Sequence, residues 1–549
     1  MKKAWWKEEV IYQIYPRSFK DSNGDGIGDI NGIFEKLDYL KSLGVTTLWL
    51  NPIYKSPFDD MGYDISGYCE ISEQYGTMED FDRLLNGAHE RGIKIIIDLV
   101  VNHTSDEHPW FQEAINNPTS KYREYYIFKK PVSGSVPNNW RSYFSGSAWE
   151  LNEKSGEYYL HLFTKKQPDL NWENPEVREE VKNLMRFWLD KGVDGFRMDV
   201  INLISKKPNF PDIDEHEIDL GKVYKNGPRL HEFLQELSHD VLSKYKCMSV
   251  GECSGASLED ALLICGEERE ELQTLFHFEA MNADVVNNEF FKPGKYNFKE
   301  FKEIYERWHR DLYGKAWNSV YLMNHDQPRS LSRFGDDKNF HKVSGKLIAT
   351  FVLTQWGTPY IYQGEEFGMT NCDFEEDEFK DVMIINYLAE QKALGKKVEE
   401  LLPGIHYRAR DNSRTPVQWN SQKNGGFSLA EDTWIKVNPN FERINAESQE
   451  RDNSSILNYY REMIAFRKSS QTLIYGTQTE IEFGVDEVYA YQRAFEGEEI
   501  LVILNFSEKN HVLEYDFSKY GSVMKSYGDI QIDEKQLMLR PYESVVLKK

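Results

Sequence analysis

Apolar residues fall along this chain in short, nearly unbroken runs separated by amphipathic stretches. Residues 10–15, 46–50, 93–100, 192–199, 247–252, 274–279, 317–323 and 357–362 each read as a strand covered on both faces. Between most of them lie helical patterns, such as 33–40 and 230–242. Eight β/α units in series predict an α/β fold, a (β/α)8 TIM barrel with its helices outside. Two stretches interrupt the alternation. Residues 104–171 are too many for a βα loop and carry aromatic, strand-like pieces among Pro and Gly turns, so an inserted subdomain is expected after strand 3. Residues 371–444 are charged and helical at first and predict a lid over the barrel mouth. From residue 476 the text turns to period-two alternation, as in 487–493 and 500–506, which predicts a C-terminal antiparallel β-sandwich. The expected division is 1–103 and 172–475 for the barrel, 104–171 for the insertion and 476–549 for the sandwich.

Polar residues sit at the ends of these runs. The third run leads through Asp98 to Asn102 and His103, the fourth closes with Arg197 and Asp199, the fifth ends in Glu252, and His325-Asp326 follows the seventh. One Asp after a strand is an ordinary helix cap or turn. Four strands ending this way place their side chains at the C-terminal mouth of a barrel, where barrel chemistry collects.

Asp98-Leu99-Val100-Val101-Asn102-His103, Gly195-Phe196-Arg197-Met198-Asp199, Gly251-Glu252 and Asn324-His325-Asp326 resemble, in order, the short motifs of glycoside hydrolase family 13, the α-amylase superfamily. The resemblance covers essentially the whole chain. Residues 167–172, 357–366 and 410–416 bring it nearest the α-glucosidase branch that contains oligo-1,6-glucosidase and dextran glucosidase. It implies Asp199 as nucleophile and Glu252 as acid/base of a retaining reaction, about 5 to 5.5 Å apart. Asp326 would bind hydroxyls of the distorted sugar, and Arg197 would hold Asp199 ionised and aimed. His103 and His325 would complete the glucose pocket. Tyr63 would stack on the sugar, while Asp64 with Arg410 closes the pocket behind one glucose, giving exo-action; Arg414, one turn on, competes for the role of Arg410. Glu279 is a further candidate substrate contact. Val200, after the nucleophile, looks like the α-1,6-preferring members.

Departures from the family pattern gather at Met61, Met323, Cys253-Ser254 and 278–282, which leaves the aglycone open: isomaltose, panose or sucrose. Sucrose isomerase and trehalose-6-phosphate hydrolase share the scaffold. The catalytically inactive relatives attached to transporters are disfavoured, because the acids are present and no anchor is visible.

Composition narrows the rest. A net charge of −24, from 66 basic and 90 acidic residues, argues against nucleic acid. Five scattered Cys suggest neither a disulfide framework nor a zinc site and suit the cytoplasm. No signal-like or membrane-length apolar segment is seen, so a soluble protein acting on small oligosaccharides is expected, with a monomer as the guess for its assembly. Asp21, Asn23, Asp25, Ile27 and Asp29 follow the spacing of an EF-hand-type loop with Gly at its sixth position, although the twelfth is Gly32. A structural Ca²⁺ or Mg²⁺ is expected there, or a plain Asp/Gly turn, and no catalytic cofactor.

Overall fold

A computed structural model describes residues 2–549 apart from 215, 216, 218, 219, 287, 288 and 295. Each of the eight expected runs contains one parallel strand: β1 Ile11–Ile14, β2 Thr47–Leu50, β3 Lys94–Leu99, β4 Gly195–Met198, β5 Met248–Glu252, β6 Thr274–Phe276, β7 Ser319–Val320 and β8 Thr358–Tyr362. They pair in the order β6-β5-β4-β3-β2-β1-β8-β7. The remaining seam, between β6 and β7, is closed by a side chain: Thr274 Oγ1 lies 2.8 Å from Ser319 Oγ and 3.2 Å from the Trp317 carbonyl. Both strands at this seam are shorter than expected, since the chain leaves the sheet after Phe276 and Val320.

Inside the barrel, alternate strands supply one layer of large side chains, as barrel geometry requires. Trp49 of β2 stacks on Phe276 of β6 at 5.5 Å, Phe276 meets Tyr360 of β8 at 4.6 Å, and the Arg197 guanidinium of β4 lies 5.2 Å from the Trp49 ring. Arg197 is therefore the fourth member of a packed layer. Gly195 starts β4 at φ 152°, where a Cβ would lie 2.1 Å from the Met248 carbonyl, so only glycine lets β4 approach β5 this closely.

Between β3 and β4 the chain forms a small antiparallel sheet of Phe128–Lys129, Glu157–Leu160 and Trp149–Asn152, with the second strand central. It rejoins the barrel where the Leu170 N–H donates to the Asn102 carbonyl at 2.9 Å and the buried Lys206 ammonium meets Asp169 at 2.8 Å. Residues 371–444 hold the helices Val382–Ala393, Val398–Arg408 and Asp411–Arg414 around an apolar cluster that includes Phe374, Ile384, Leu388 and Ile405 and is joined by Phe291 from the barrel segment. This segment meets the small sheet's subdomain through Asn386 Nδ2, 3.0 Å from the Phe144 carbonyl, and through an Arg141–Glu390 ion pair.

Two antiparallel sheets follow residue 476. Val488, Ala490, Leu501, Ile503, Val545 and Leu547 face the second sheet, whereas Tyr489, Tyr491, Val502, Leu504 and Val546 join the core shared with the barrel. Period-two alternation thus feeds two cores from one sheet. The helix His341–Thr354, buried at every residue from Ser344 onward, lies between barrel and sandwich.

Candidate active site

Register brings the first pair together. Asp98 of β3 lies directly opposite Arg197 of β4, so both side chains point to the same face and meet at 2.7 Å. The chain runs on one residue past β4 to Asp199, whose Oδ1 accepts from the same Nη1 at 2.7 Å, while Nη2 reaches Glu252 at the tip of β5 at 2.5 Å. One buried guanidinium therefore holds three carboxylates. Val200 adopts a left-handed conformation, φ 35° and ψ 40°, unusual for a β-branched residue. That turn aims its N–H at Glu252 Oε2, 3.1 Å away.

Electrostatics follow from burial and crowding. Burial pushes Asp98 up to about 6 against the pull of Arg197. Arg197 aims Asp199 but does not, as expected, hold it low: burial raises Asp199 well above the ordinary carboxylate range, Arg197 opposes this, and the charges of Glu252 and Asp98 add to it. Carboxylates this close titrate as a group, so a proton is retained among them at pH values where an isolated acid has lost its own.

Asp326 lies in a different field. Burial opposes its charge, but His325, Arg410 and Arg414 overcome that and hold it well below the usual range. Its Oδ1 accepts from Arg410 Nη1 at 3.1 Å and Arg414 Nη2 at 2.9 Å, so both candidate arginines contact it. Among the described residues the buried Arg414 Nη1 and Arg197 Nε have no hydrogen-bond partners. His325 stacks on Tyr63, with centroids 5.2 Å apart, and its Nε2 lies 2.6 Å from the Tyr63 hydroxyl. His103 Nε2 lies 3.1 Å from the Tyr63 carbonyl and 3.2 Å from Gln167 Nε2. Burial lowers His103 to about 4 and His325 to about 3, so both rings are neutral at physiological pH.

Two expected contacts are corrected. Asp64 does not face Arg410: it is fully buried, and its oxygens accept from Ser56 Oγ and from the amides of Asp59 and Asp60. Asp60 is the carboxylate beside Arg410, 3.7 Å from Nη2, with Gln167 Nε2 on its other side at 3.0 Å. Glu279 turns outward, because β6 ends at Phe276 and the chain enters a short 3-10 helix; its carboxylate bonds Arg307 and, at 2.7 Å, Trp308 Nε1.

Sequence reasoning missed Asp60, and it missed Asp381. The latter grips Arg410 through both oxygens, at 2.7 and 2.5 Å, and also caps the helix Val382–Ala393 through the Met383 amide. The charge in residues 371–444 was a signal that cations and acids would pair there, but not which ones. Val200 is half-buried, packed on the cluster that includes Leu203 and Tyr224. Met61 and Met323, two of the departures from the family pattern, come together with Tyr15, Tyr362 and Trp434 in one apolar patch. Tyr15 in turn stacks beside His325 at 6.3 Å.

The loop at Asp21 turns on its own side chains. Asp21 accepts from the amides of Asn23, Gly24 and Gly26, Asn23 from Asp25 N, Asp25 from Ile27 N, and Asp29 from Ser22 and Gly32. Among the described residues no three His, Cys, Asp or Glu side chains converge as a metal cluster, so an ion here would need Asn23 and the Ile27 carbonyl as well.

Residues 13–476 match the family described as "Alpha amylase, catalytic domain", and residues 488–546 match "Alpha-amylase SusG C-terminal domain". The chain is similar to an oligo-1,6-glucosidase of Parageobacillus thermoglucosidasius, 49% identical over 100% of this chain and 99% of that protein. It is also similar to a trehalose-6-phosphate hydrolase of Bacillus subtilis (strain 168), 46% identical over 99% and 98%. Among solved structures, the isomaltulose synthase of Protaminobacter rubrum superposes with a TM-score of 0.97 at 42% identity, over the full length of both chains. With motifs, barrel and carboxylate cluster in agreement, the chain belongs to glycoside hydrolase family 13, in its oligo-1,6-glucosidase branch, and is a glycosidase.

Proposed function

We propose that this enzyme is a retaining, exo-acting α-glucosidase that hydrolyses α-1,6 bonds at the non-reducing ends of isomalto-oligosaccharides. The observation that carries the reading is the Arg197 guanidinium bonded at once to Asp199 and Glu252. A shared cation keeps the two carboxyl groups close, as a covalent mechanism needs, rather than separated by a water. In this mechanism Asp199 Oδ attacks C1 while Glu252 gives its proton to the glycosidic oxygen. The C1–O bond breaks, and a glucosyl ester of Asp199 forms. Glu252, now a base, takes a proton from water, whose oxygen attacks C1 and returns the α anomer. Asp326, held ionised by its arginines, accepts from sugar hydroxyls, and the bonds it makes strengthen as C1 becomes cationic. Asp60, Arg410 and Asp381 form the blind end behind one glucose unit.

The α-1,6 preference rests on Val200 and on four relatives named oligo-1,6-glucosidase at 45 to 49% identity. A phosphorylated aglycone is the second reading, from the trehalose-6-phosphate hydrolases. It is disfavoured because Arg197, Arg410, Arg414 and Lys206, the cations of this pocket, are already bonded to carboxylates. The oxygen-only donor set at Asp21, Asn23, Asp25, Ile27 and Asp29 fits a hard cation such as Ca²⁺ or Mg²⁺, which would brace the loop and take no part in the reaction. The five cysteines are all free thiols, which supports a cytoplasmic setting, and a monomer is the assembly proposed. Among the described residues no helix is long and apolar enough to cross a membrane.

Time-resolved proton NMR with equal isomaltose, maltose, sucrose and trehalose 6-phosphate tests the assignment. Isomaltose falling fastest, with α-glucose appearing first, is the expected result; isomaltose left intact would reject it.

A further inference from the structure

Where both insertions meet the barrel mouth lies a cavity of about 270 Å³, distinct in its lining from the glucose pocket. Three segments wall it: Tyr143 from the insertion after β3, Phe290 and Phe291 from the loop after β6, and Met383 and Tyr387 from the helix Val382–Ala393. Met383, Tyr387 and Gln391 recur every fourth residue and so share one face of that helix. The rings brace one another. Tyr387 meets Phe291 at 4.8 Å, Phe290 meets Phe291 at 5.2 Å, and Tyr143 stacks on Phe163 at 5.4 Å. Charged groups at the rim are already engaged, since Glu289 bonds Lys292 and Lys396 bonds Gln391, each at 2.6 Å. Aromatic and thioether surface is therefore what the cavity offers, and that lining suits a flat apolar group.

The elements that carry the cavity also fix its place. Phe163 packs on His103 at 5.1 Å, and Phe144, next to Tyr143, covers the Arg410 guanidinium at 5.1 Å, so one wall continues from the glucose pocket. The helix begins where Asp381 grips Arg410, at the blind end, and runs to the β6 loop, where Tyr387 meets Phe291. That loop leaves the barrel beside the acid, because Glu252 and Phe276 are partners in the β5–β6 register. A leaving group departs on the side of the acid that protonates it. The cavity thus stands on the leaving-group side of C1.

We propose that this cavity takes an aromatic aglycone, which makes α-glucosides of aromatic alcohols a further substrate class of this enzyme. The inference rests on the retaining α-glucosidase reading above. With glucose in its pocket, Asp199 attacks C1, the C1–O bond breaks, and the Glu252 proton passes to the oxygen of the departing alcohol. Water then cleaves the glucosyl ester as before. A sugar ring gains less from these walls than an aromatic ring, because the polar side chains at the rim are already bonded. The small volume suits one ring.

Initial rates of the whole enzyme on benzyl α-glucoside, methyl α-glucoside and isomaltose read the site. Benzyl alcohol and methanol leave with similar ease, so the ratio of kcat/KM for the two glucosides reports what the ring gains by burial. That ratio should be about 10-fold or more in the unaltered enzyme. Tyr387→Ala should lower it by about tenfold, and Tyr387→Phe should keep it, a pattern that a general loss of structure would not produce. A ratio near one, or one indifferent to Tyr387→Ala, would overturn the proposal; with isomaltose still cleaved, the α-1,6-glucosidase reading would survive it. Benzyl glucoside cleaved at the expected ratio with isomaltose left intact would support the cavity's role and reject the α-1,6 preference. Neither cleaved would overturn both.

Discussion

At the scale of single residues the two acids differ in role because their surroundings differ. Asp199→Asn should lower kcat by on the order of 10⁴-fold or more while leaving Tm nearly unchanged, since the amide keeps a bond to Arg197. The active form carries one proton on the Asp199–Glu252 pair. Activity is expected to fall toward low pH from a point above the ordinary carboxylate range, because Asp199, raised by burial and by the charges of Glu252 and Asp98, must lose its proton to attack. Glu252→Gln should slow an ordinary glucoside far more than an activated aryl glucoside, whose leaving group needs no proton. A pH profile of kcat/KM checks the acid limb, and initial rates on the two substrates check the role of Glu252. Stability carries a separate sign: His103 and His325, depressed to about 4 and 3, contribute stability present above the ordinary histidine value and lost as pH falls toward their folded values. Acid titration of Tm should show this loss beginning near the ordinary histidine value, about 6.5. Asp60 and Asp64 can be told apart by kinetics. Asp60→Asn should raise KM, whereas Asp64→Asn should cost stability with little change in substrate binding. The four-residue spacing could not reveal which acid faced the sugar. Positive φ at Phe58, Met61 and Gly62 folds the loop so that one carboxylate turns to Arg410 and the other back onto the loop's own amides.

Among the elements, the helix Val382–Ala393 joins the pocket to its surroundings. Its cap, Asp381, grips Arg410, and its middle bonds the Phe144 carbonyl in the other insertion. Asp381→Asn should lower kcat/KM by about 10- to 100-fold, mostly through KM, because Arg410 loses its bidentate anchor; a loss of kcat alone would contradict that role. The strands were legible because strands covered on both faces must be apolar throughout, yet β6 and β7 proved shorter than the apolar runs containing them. Their seam is held by the Thr274 hydroxyl, and Thr274→Val should cost about 1–3 kcal/mol in denaturant unfolding by leaving Ser319 Oγ with one partner fewer. At the Asp21 loop the spacing predicted a Ca²⁺ or Mg²⁺ site, with a plain Asp/Gly turn as the alternative. Ca²⁺ added after chelation should raise Tm if an ion braces the loop, and an unchanged Tm would leave it an Asp/Gly turn.

For the molecule as a whole, barrel and sandwich share one core through Tyr489, Tyr491, Val502 and the buried helix His341–Thr354. A chain ending at residue 476 should therefore be insoluble or unfolded, as expression and sedimentation would show, because that helix would lose its cover. The sequence by itself determined the eight barrel strands, the two insertions as breaks in the alternation, the sandwich, and the strand-end acids Asp199, Glu252 and Asp326. Each of these is set by local periodicity or by a position at the end of a run, and both survive in one dimension. Only the tertiary structure decided that Asp60 rather than Asp64 faces Arg410, that Glu279 points away, that Asp381 anchors the arginine, and that Met61 and Met323 share one wall. Those outcomes depend on contacts between segments tens to hundreds of residues apart, formed when loops close over the barrel mouth. No local pattern records which of several equivalent acids a folded loop will turn toward a given cation.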